Sequence, residues 1–404
     1  MAGLETRSTF GSSNTEGVAL MRIRPGFELT YCSNIHTAEG WPQVLENLER
    51  YAPELKKRLH PEGRFGLGLR LANDEAIELL AQSNLEDFSR FLRDAGLYVA
   101  LINGFPYGWF HERRLKDQVF APDWHTEERV SYTLRLVEIL SRLLPDEMDG
   151  GISTCPLSYK RWGYNDWDLI VRNVVQIAAA LFDLNRHTGQ DIHLDIEPEP
   201  DGLVETAEEF IRFFEKLLST GAPLLAKLAD VPRAQAEDAL RRHITVCYDL
   251  CHSAVEYEDA RTAIGAFRRA GIRIGRVQIS SAVKVPVPSK RMSEHLSALA
   301  DPVYLHQTIG DRERYADLPE ALDGIENARS SEWRIHYHVP LFMQSYGELG
   351  STQSEVRNAL AQFRPEEVRH LEIETYTWGV LPPQHRLDIV DSIEREYRWV
   401  MSQL

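Results

Sequence analysis

The sequence predicts an α/β fold, a (β/α)8 TIM barrel with a long insertion in its seventh βα connection. Short runs rich in β-branched and aromatic residues alternate with segments of helical periodicity, and this alternation occurs eight times along the chain. Strands that alternate with helices pair in parallel through right-handed crossovers, and eight such units close a barrel. The connection between the seventh and eighth units, about 283–369, is far longer than a βα loop requires.

Each predicted strand is a short apolar run bounded by polar or turn-forming residues. The strands are expected at 27–34, 64–71, 98–104, 150–157, 191–200, 243–251, 274–282 and 370–378. The clearest helices are expected near 126–143, 165–187, 257–270 and 384–402. A ninth strand-like run, 333–342, lies inside the long connection and has no place in an eight-stranded wall. It is expected to pack against the barrel, where it could pair with 303–309 as a hairpin over the mouth.

Composition and charge exclude several classes of protein. The chain has 404 residues, of which 43% are hydrophobic, enough for a large core. Its net charge of −16 disfavours nucleic acid and anionic membranes as partners, and no apolar run approaches the roughly 20 residues of a membrane span. Residues 1–24 lack the features of a signal peptide, so a disordered polar tail and a single domain over 25–404 are predicted. Because the four cysteines form no disulfide framework, a cytoplasmic location is expected, and an oligomer is left open.

The carboxyl ends of the barrel strands are where the active site of such a fold is built, and here they carry acids. In DIEPEP, Asp195, Glu197 and Glu199 share one face of the fifth strand. Pro198 and Pro200 cannot donate to a strand ladder, so pairing ends near Glu197 and leaves its carboxylate at the rim. The alternative is a strand-end acid that caps the next helix or pairs with a neighbouring cation.

Two further strand ends add possible metal ligands. In YDLCH, Asp249 and His252 leave the sixth strand together, and a carboxylate with an imidazole suits Mn²⁺, Zn²⁺ or Co²⁺, with Mg²⁺ also possible. The alternative is a His–Asp hydrogen bond that only fixes a loop. Glu374 lies on the same face of the eighth strand as Glu372, and at least one of these acids requires a partner because a barrel strand is buried on both faces.

Histidines and polar residues complete the set of candidates. His336 and His338 share one face of the ninth run and are predicted to belong to the site, with the choice between them open. The candidates for substrate binding are the polar residues at other strand ends and in the long connection: Asn34, His36, Asn103, His252, Gln278 and His306. Lys284, Lys290 and Arg291 follow the seventh strand and are expected to be able to receive a phosphate.

These motifs resemble those of a known superfamily. The acid of IEPEP, the DLCH motif, the polar residue of VQIS and the terminal acid of EIET are similar to the xylose-isomerase-like TIM barrels, which include sugar-phosphate isomerases, keto-sugar epimerases and inosose dehydratases. More narrowly, YCSNIH, YDLCHSAVEYED, HYHVPLF and LEIETYTWGVLP resemble the Ebo-cluster E proteins, described as metabolite-traffic proteins. The resemblance covers nearly the whole chain after about residue 25.

The resemblance implies a divalent metal held by Glu197, Asp249 and Glu374. The superfamily places a histidine ligand on strand seven, where this chain has Gln278, so His336 or His338 is predicted to supply the nitrogen. It further implies that His252 binds substrate or a second metal, and that Glu197 and Glu374 exchange a proton with the substrate.

The function implied is that of a metal-dependent isomerase, epimerase or dehydratase acting on a sugar or cyclitol through an enediolate-type intermediate. The Ebo-type resemblance places it in a secondary-metabolite pathway. The alternative is a non-catalytic metabolite-binding or traffic protein on the same barrel, which the glutamine at position 278 favours.

Overall fold

The computed structural model describes residues 26–108, 115–300, 302–377 and 387–404. The predicted tail, and the parts of the last predicted strand and helix at 378 and 384–386, lie outside these ranges. Within them the strands are β1 Glu28–Tyr31, β2 Phe65–Arg70, β3 Leu97–Asn103, β4 Gly150–Thr154, β5 Ile192–Ile196, β6 Ile244–Asp249, β7 Ile274–Ile279, β8 Val283–Pro286, β9 Thr308–Gly310, β10 Arg314–Tyr315, β11 Glu332–Ile335, β12 Ser345–Tyr346, β13 Leu349–Ser351 and β14 His370–Ile373.

The α-helices of the same ranges surround the barrel or belong to the insertion. They are α1 Trp41–Leu59, α2 Asn73–Leu80, α3 Asn84–Ala95, α4 Glu127–Leu143, α5 Trp167–Thr188, α6 Ala207–Lys216, α7 Ala222–Ala229, α8 Arg233–His243, α9 Leu250–Val255, α10 Ala260–Ala270, α11 Ser293–Ser297, α12 Leu318–Gly324, α13 Gln353–Leu360 and α14 Ile389–Gln403.

Eight parallel strands form the barrel, which confirms the predicted fold class. Their order around the sheet is β1-β14-β7-β6-β5-β4-β3-β2, and a parallel bridge between Cys32 and Gly68 joins β1 to β2. Because all eight strands run in the same direction, their carboxyl ends meet at one rim. No helix in the described ranges combines the length and the apolar character needed to cross a bilayer.

Local sequence signals set the ends of the barrel helices. Thr126, Asp166 and Thr206 are N-caps whose side chains accept a hydrogen bond from the backbone N–H three residues later. Gly96 and Gly189 end α3 and α5 with φ angles of 67° and 79°, a left-handed conformation that glycine adopts without strain. The three N-caps set where α4, α5 and α6 begin, and the two glycines set where α3 and α5 end before the next strand.

A buried ion cluster fills the barrel below the rim. Arg276 on β7 donates from Nε to Asp195 Oδ2 at 2.8 Å and from Nη1 to Glu372 Oε2 at 3.1 Å, and all three side chains are 0% exposed. Gly68 leaves the room for this cluster, because a Cβ there would lie 1.7 Å from Glu372 Oε1. Glu372 therefore has the partner that its burial was expected to require.

The insertion in the seventh connection forms its own small sheet. Six antiparallel strands lie in the order β10-β9-β11-β8-β13-β12, and they enclose a separate apolar cluster that includes Val285, Trp333 and Ile335. The ninth predicted run lies outside the barrel wall, as expected, although its strand ends at Ile335. The predicted pairing with 303–309 is confirmed, since β11 runs antiparallel to β9 with Arg334 opposite Ile309.

Ion pairs join the insertion to the barrel. Arg314 on β10 donates from Nη1 to Glu256 Oε2 at 2.9 Å, and its Nε lies 3.4 Å from Asp201 Oδ1. Glu256 follows α9, and Asp201 follows β5. The insertion is thus held over the loops that follow β5 and β6.

Candidate metal centre

Three buried carboxylates converge at the rim of the barrel. Glu197 follows β5, Asp249 ends β6 and Glu374 follows β14. One oxygen of each lies within 4.8 Å of the other two, and all three residues are buried. Among the described residues, Glu197 Oε2 and Asp249 Oδ2 have no hydrogen-bond partner. Buried acceptor atoms that face one another in this way are the arrangement that a cation would satisfy.

Neighbouring residues orient two of these carboxylates. Asp249 Oδ1 accepts a hydrogen bond from Ser280 Oγ at 2.7 Å and from the backbone N–H of His252 at 2.9 Å, so it caps α9. Glu374 Oε1 accepts from Asn34 Nδ2 at 2.8 Å and from Asn103 Nδ2 at 2.9 Å. Each carboxylate therefore keeps its second oxygen for another ligand.

The imidazoles of His252, His336 and His338 are held in one tautomer. Nδ1 of His252 lies 3.0 Å from the Pro198 carbonyl, and Nδ1 of His338 lies 3.0 Å from the Glu374 carbonyl. A carbonyl only accepts, so both Nδ1 atoms carry the proton and both Nε2 atoms present a lone pair. A histidine that binds a metal is oriented in this way by an acceptor on its other nitrogen.

Gln307 fixes the tautomer of His336. The amide Nε2 of Gln307 donates to the Pro200 carbonyl at 2.8 Å, which leaves its Oε1 as the acceptor for His336 Nδ1 at 2.7 Å. The Nε2 lone pair of His336 therefore also faces the cavity. Cys251 Sγ lies in the same neighbourhood, but its thiol donates to the Tyr337 carbonyl at 3.3 Å.

The two histidines of the ninth run occupy different places. His338 groups with Asp249 and His252, with one ligand atom of each within 4.8 Å of the others, and its Nδ1 lies 3.5 Å from Glu374 Oε2. His336 groups instead with Glu199 and His252. The geometry thus associates His338 with Asp249 and Glu374, and His336 with Glu199.

Burial shifts the pKa values of both kinds of side chain against their charged forms. Burial, together with the charges of Glu374 and Asp249, raises the pKa of Glu197 well above its usual value, and burial raises the pKa of Glu199 to about 8. Burial also lowers the pKa of His338 to about 4 and that of His336 well below its usual value. Neutral imidazoles are ligands, and crowded carboxylates gain from a cation, so these residues fit a divalent metal.

A cavity that is partly open to solvent leads down to these groups. The acids and imidazoles line it together with an apolar set of residues, Phe105, Pro106, Leu115, Val119 and Leu305. Lys116 also lines it, but its Nζ lies 2.6 Å from Asp317 Oδ2. The cavity lining therefore combines carboxylates and imidazoles with apolar side chains.

Three predicted substrate-binding residues do not line this cavity. His36 Nε2 lies 3.2 Å from the Tyr31 hydroxyl, and its ring stacks on Tyr51 of α1. Gln278 Oε1 accepts from the Cys247 thiol at 3.0 Å inside the barrel. His306 stacks on Tyr337, and its Nδ1 donates to the His336 carbonyl at 2.8 Å, so it supports the ninth run from behind.

The expectation of a phosphate site on the chain after β7 is corrected. Lys284, Lys290 and Arg291 do not line the cavity, and each pairs with a glutamate of the insertion. Their partners are Glu355, Glu326 and Glu348, respectively. These cations therefore lie in ion pairs of the insertion and contribute no positive charge to the cavity lining.

Several residues of the cavity are not among the site residues predicted from the sequence. Glu199 shares a strand face with Glu197 in the sequence pattern, and that shared face is the signal that places it here. Tyr376 lies two residues beyond Glu374, and its hydroxyl is 3.4 Å from His336 Nε2. The apolar wall around Phe105 comes from the long loop after β3, where no local pattern predicts contact with the site.

No protein-family model and no curated protein matches the chain. Among solved structures, the chain is similar to the probable 3-DHS dehydratase AsbF of Bacillus anthracis, involved in petrobactin synthesis, at 12% identity over 92% of this chain and 97% of that chain, with a TM-score of 0.42. It is similar to the IOLI protein with a binding zinc atom, at 12% identity over 93% and 98% of the chains, with a TM-score of 0.45. It is also similar to a xylose isomerase-like TIM barrel protein of Mycobacterium smegmatis in complex with magnesium, at 10% identity over 94% and 96%, with a TM-score of 0.46.

These neighbours are xylose isomerase-like TIM-barrel proteins. Identities this low and TM-scores below 0.5 add no weight to a function, and the barrel itself rests on the strand pairing described above. The narrower resemblance to the Ebo-cluster E proteins stays a prediction.

Proposed function

We propose that the chain is a metal-dependent isomerase, epimerase or dehydratase that acts on a sugar or cyclitol through an enediolate-type intermediate. The observation that carries the proposal is the convergence of Glu197, Asp249 and Glu374 at a buried barrel mouth. Anions buried this close together repel one another unless a cation joins them. His338 is the residue that would add a nitrogen ligand to the three carboxylates, because it lies within reach of Asp249.

Glu197 and Glu374 are proposed to move the proton. A bound divalent ion would supply Lewis-acid polarisation of a carbonyl and the hydroxyl beside it. The two acids follow β5 and β14, which are three positions apart around the barrel, so they approach a substrate from different sides. Removal of a proton from one face and its return to the other inverts a carbon, whereas return to the neighbouring carbon isomerises the sugar.

The remaining residues of the cavity suit a small polyol. Asn34 and Asn103 hold Glu374 Oε1, which leaves the other oxygen of Glu374 for the reaction. The apolar wall around Phe105 excludes water from the acids and packs against C–H faces of a sugar ring. Lys116, the cation among the described lining residues, is paired with Asp317, so an uncharged sugar or cyclitol fits better than a phosphorylated one.

Metal content is the first test of this proposal. Glu197→Gln and Asp249→Asn should each abolish tight Mn²⁺ binding, because a neutral amide replaces an anionic ligand. Bound metal is counted after chelator treatment, reloading and dialysis. Glu396→Gln is the matched control, since Glu396 is buried outside the cavity, where its Oε1 accepts a hydrogen bond from Thr375 Oγ1 at 2.7 Å. If both site variants keep stoichiometric Mn²⁺, the site assignment is wrong.

Proton exchange is the second test, and it separates catalysis from binding. The Mn²⁺-loaded protein is incubated in D₂O with ketohexoses and keto-cyclitols, and loss of the C–H signal beside the carbonyl is followed by NMR. Exchange that Glu374→Gln abolishes supports proton transfer. The alternative is the non-catalytic metabolite-binding protein. It is favoured by Gln278, which stands on the strand that would carry a ligand histidine and instead accepts a hydrogen bond from Cys247. Sugar binding without any exchange would establish that alternative.

A further inference from the structure

The residues that line the cavity differ in burial according to their chemistry. The carboxylates, imidazoles and amides of the lining, such as Glu374 and His338, are at most 4% exposed. Three apolar residues of the same lining, Leu115, Val119 and Leu305, are only half-buried. The described lining therefore holds its reactive groups away from solvent and presents apolar side chains where solvent reaches it.

This half-buried part of the lining offers few hydrogen bonds to a polyol. Lys116 belongs to it, but its Nζ donates to the Tyr304 carbonyl at 2.7 Å and lies 2.6 Å from Asp317 Oδ2. A sugar hydroxyl gains nothing by leaving water for an apolar surface, because no hydrogen bond replaces its hydration. An apolar group gains by the same transfer. This part of the cavity thus favours a ligand whose outer end is apolar.

Aromatic rings contribute to the lining as well. Phe105, Tyr304 and Tyr376 all line the cavity, and the rings of Tyr304 and Tyr376 lie 5.3 Å apart at an angle of 62°. Aromatic rings attract one another in T-shaped and offset arrangements beyond what the buried area alone contributes. The lining therefore favours an aryl group over an alkyl chain.

Phe105 is held in place by a row of rings behind it. Its ring centroid lies 5.7 Å from that of Phe120, which stacks on Tyr159 at 4.9 Å, and Trp162 follows at 5.7 Å. Trp162 Nε1 donates to Asp117 Oδ2 at 2.8 Å, so the far end of the row is tied back to the loop that carries Phe105. A ligand that contacts Phe105 therefore meets a preformed surface, and little conformational entropy is lost on binding.

We propose that the substrate is a keto sugar or keto-cyclitol that carries an aryl group on one of its oxygens, as an aryl ether or glycoside. The inference rests on the proposed function, because the polyol end is assigned to Glu197 and Glu374. The aryl group lies against Phe105, Leu115 and Val119, away from the reacting carbon. The aryl group then determines affinity, whereas the acids determine the reaction.

Calorimetric titration of the full-length, Mn²⁺-loaded protein with two matched ligands tests the proposal. Phenyl β-D-glucopyranoside and methyl β-D-glucopyranoside differ only in the group on one oxygen, and the phenyl compound should bind roughly 10- to 100-fold more tightly. Leu115→Asn and Val119→Thr should each lower that ratio of affinities by roughly three- to tenfold. Leu228→Asn is the control, since Leu228 is 63% exposed on α7, and it should keep the full ratio.

Paramagnetic broadening by the bound Mn²⁺ gives the orientation of the ligand without any variant. The sugar-ring protons of the phenyl compound should broaden more than its aryl protons, because the polyol end lies at the ion. The same measurement on the methyl compound reports whether the sugar alone takes up this position.

The outcomes separate this inference from the proposed function. Equal affinity for the two glucosides, or binding of neither, would overturn the inference alone. So would a phenyl preference that survives both Leu115→Asn and Val119→Thr, or aryl protons that broaden more than the sugar-ring protons. A phenyl preference in a protein that exchanges no proton with ketohexoses or with their phenyl ethers would support the aryl-binding surface and overturn the proposed catalysis.

Discussion

Replacing Arg276 with methionine tests whether the buried ion cluster is a structural unit. Arg276 is the shared partner of Asp195 and Glu372, and its removal leaves Glu372 buried without a cation and Asp195 with His193 alone. Removing one partner of a buried ion pair costs about 3–5 kcal/mol. At about 2.1 cal/mol/K of unfolding entropy per residue, a chain of this length should lose about 4–6 °C in Tm.

Urea denaturation followed by circular dichroism measures the change in the free energy of unfolding. The control is Arg273→Met, because the Arg273 side chain is 36% exposed and reaches Asp149 only at 3.4 Å, so its loss should cost less than about 1 kcal/mol. Lowering the pH from 8 to 5 should shrink the deficit of Arg276→Met, since carboxylates without a cation take up protons in the folded state and lose their charge.

A rescue variant distinguishes lost charge pairing from lost packing. Arg276→Met combined with Glu372→Gln keeps Asp195 paired with His193 and leaves no buried carboxylate without a partner, so it should recover most of the deficit. A deficit in Arg276→Met no larger than that of Arg273→Met, or a rescue variant less stable than the single one, would refute the reasoning.

Three further predictions concern the rest of the fold. Burial alone would lower the pKa of His193, but the charge of Asp195 raises that pKa to about 9. Protonated His193 therefore stabilises the fold by on the order of 3 kcal/mol below pH 6.5, and this stabilisation is lost as the pH rises through 9. The difference in unfolding free energy between the wild type and His193→Gln should fall over that window. Gly68→Ala should destabilise by about 1–3 kcal/mol or more in urea, because its Cβ meets Glu372, and wild-type stability would contradict the interior geometry. Arg314→Met should speed proteolysis of the insertion while changing global stability by less than about 1 kcal/mol, since its pairs are partly exposed; unchanged cleavage would show that they do not hold the insertion.

The barrel could be predicted because its signals are local. Each strand is an apolar run followed by a helix-period segment, and eight such units admit few topologies. The predicted strands were longer than the observed ones where pairing ends early. β5 ends at Ile196 because Pro198 and Pro200 follow, and β1 ends at Tyr31 because Ser33–Ile35 turn into a 3-10 helix.

The site could be predicted only in the part that the barrel geometry dictates. Glu197, Asp249 and Glu374 end three strands of one parallel sheet, so the sequence alone brings them to one rim. The choice between His336 and His338 depends on the path of the insertion, which no periodicity specifies. Arg276 gave no local signal either, because its partners Asp195 and Glu372 are 81 and 96 residues away in sequence.

The position of the proposed nitrogen ligands bears on what holds the insertion in place. On strand seven a ligand histidine would be part of the barrel wall, whereas His336 and His338 reach the cavity only while the run after β11 lies against the rim. An ion that joined His338 to Asp249 would therefore bind the docked insertion more tightly than a detached one. By linkage, the same binding free energy stabilises the docked state. For the proposed site, metal affinity and docking of the insertion are therefore linked equilibria.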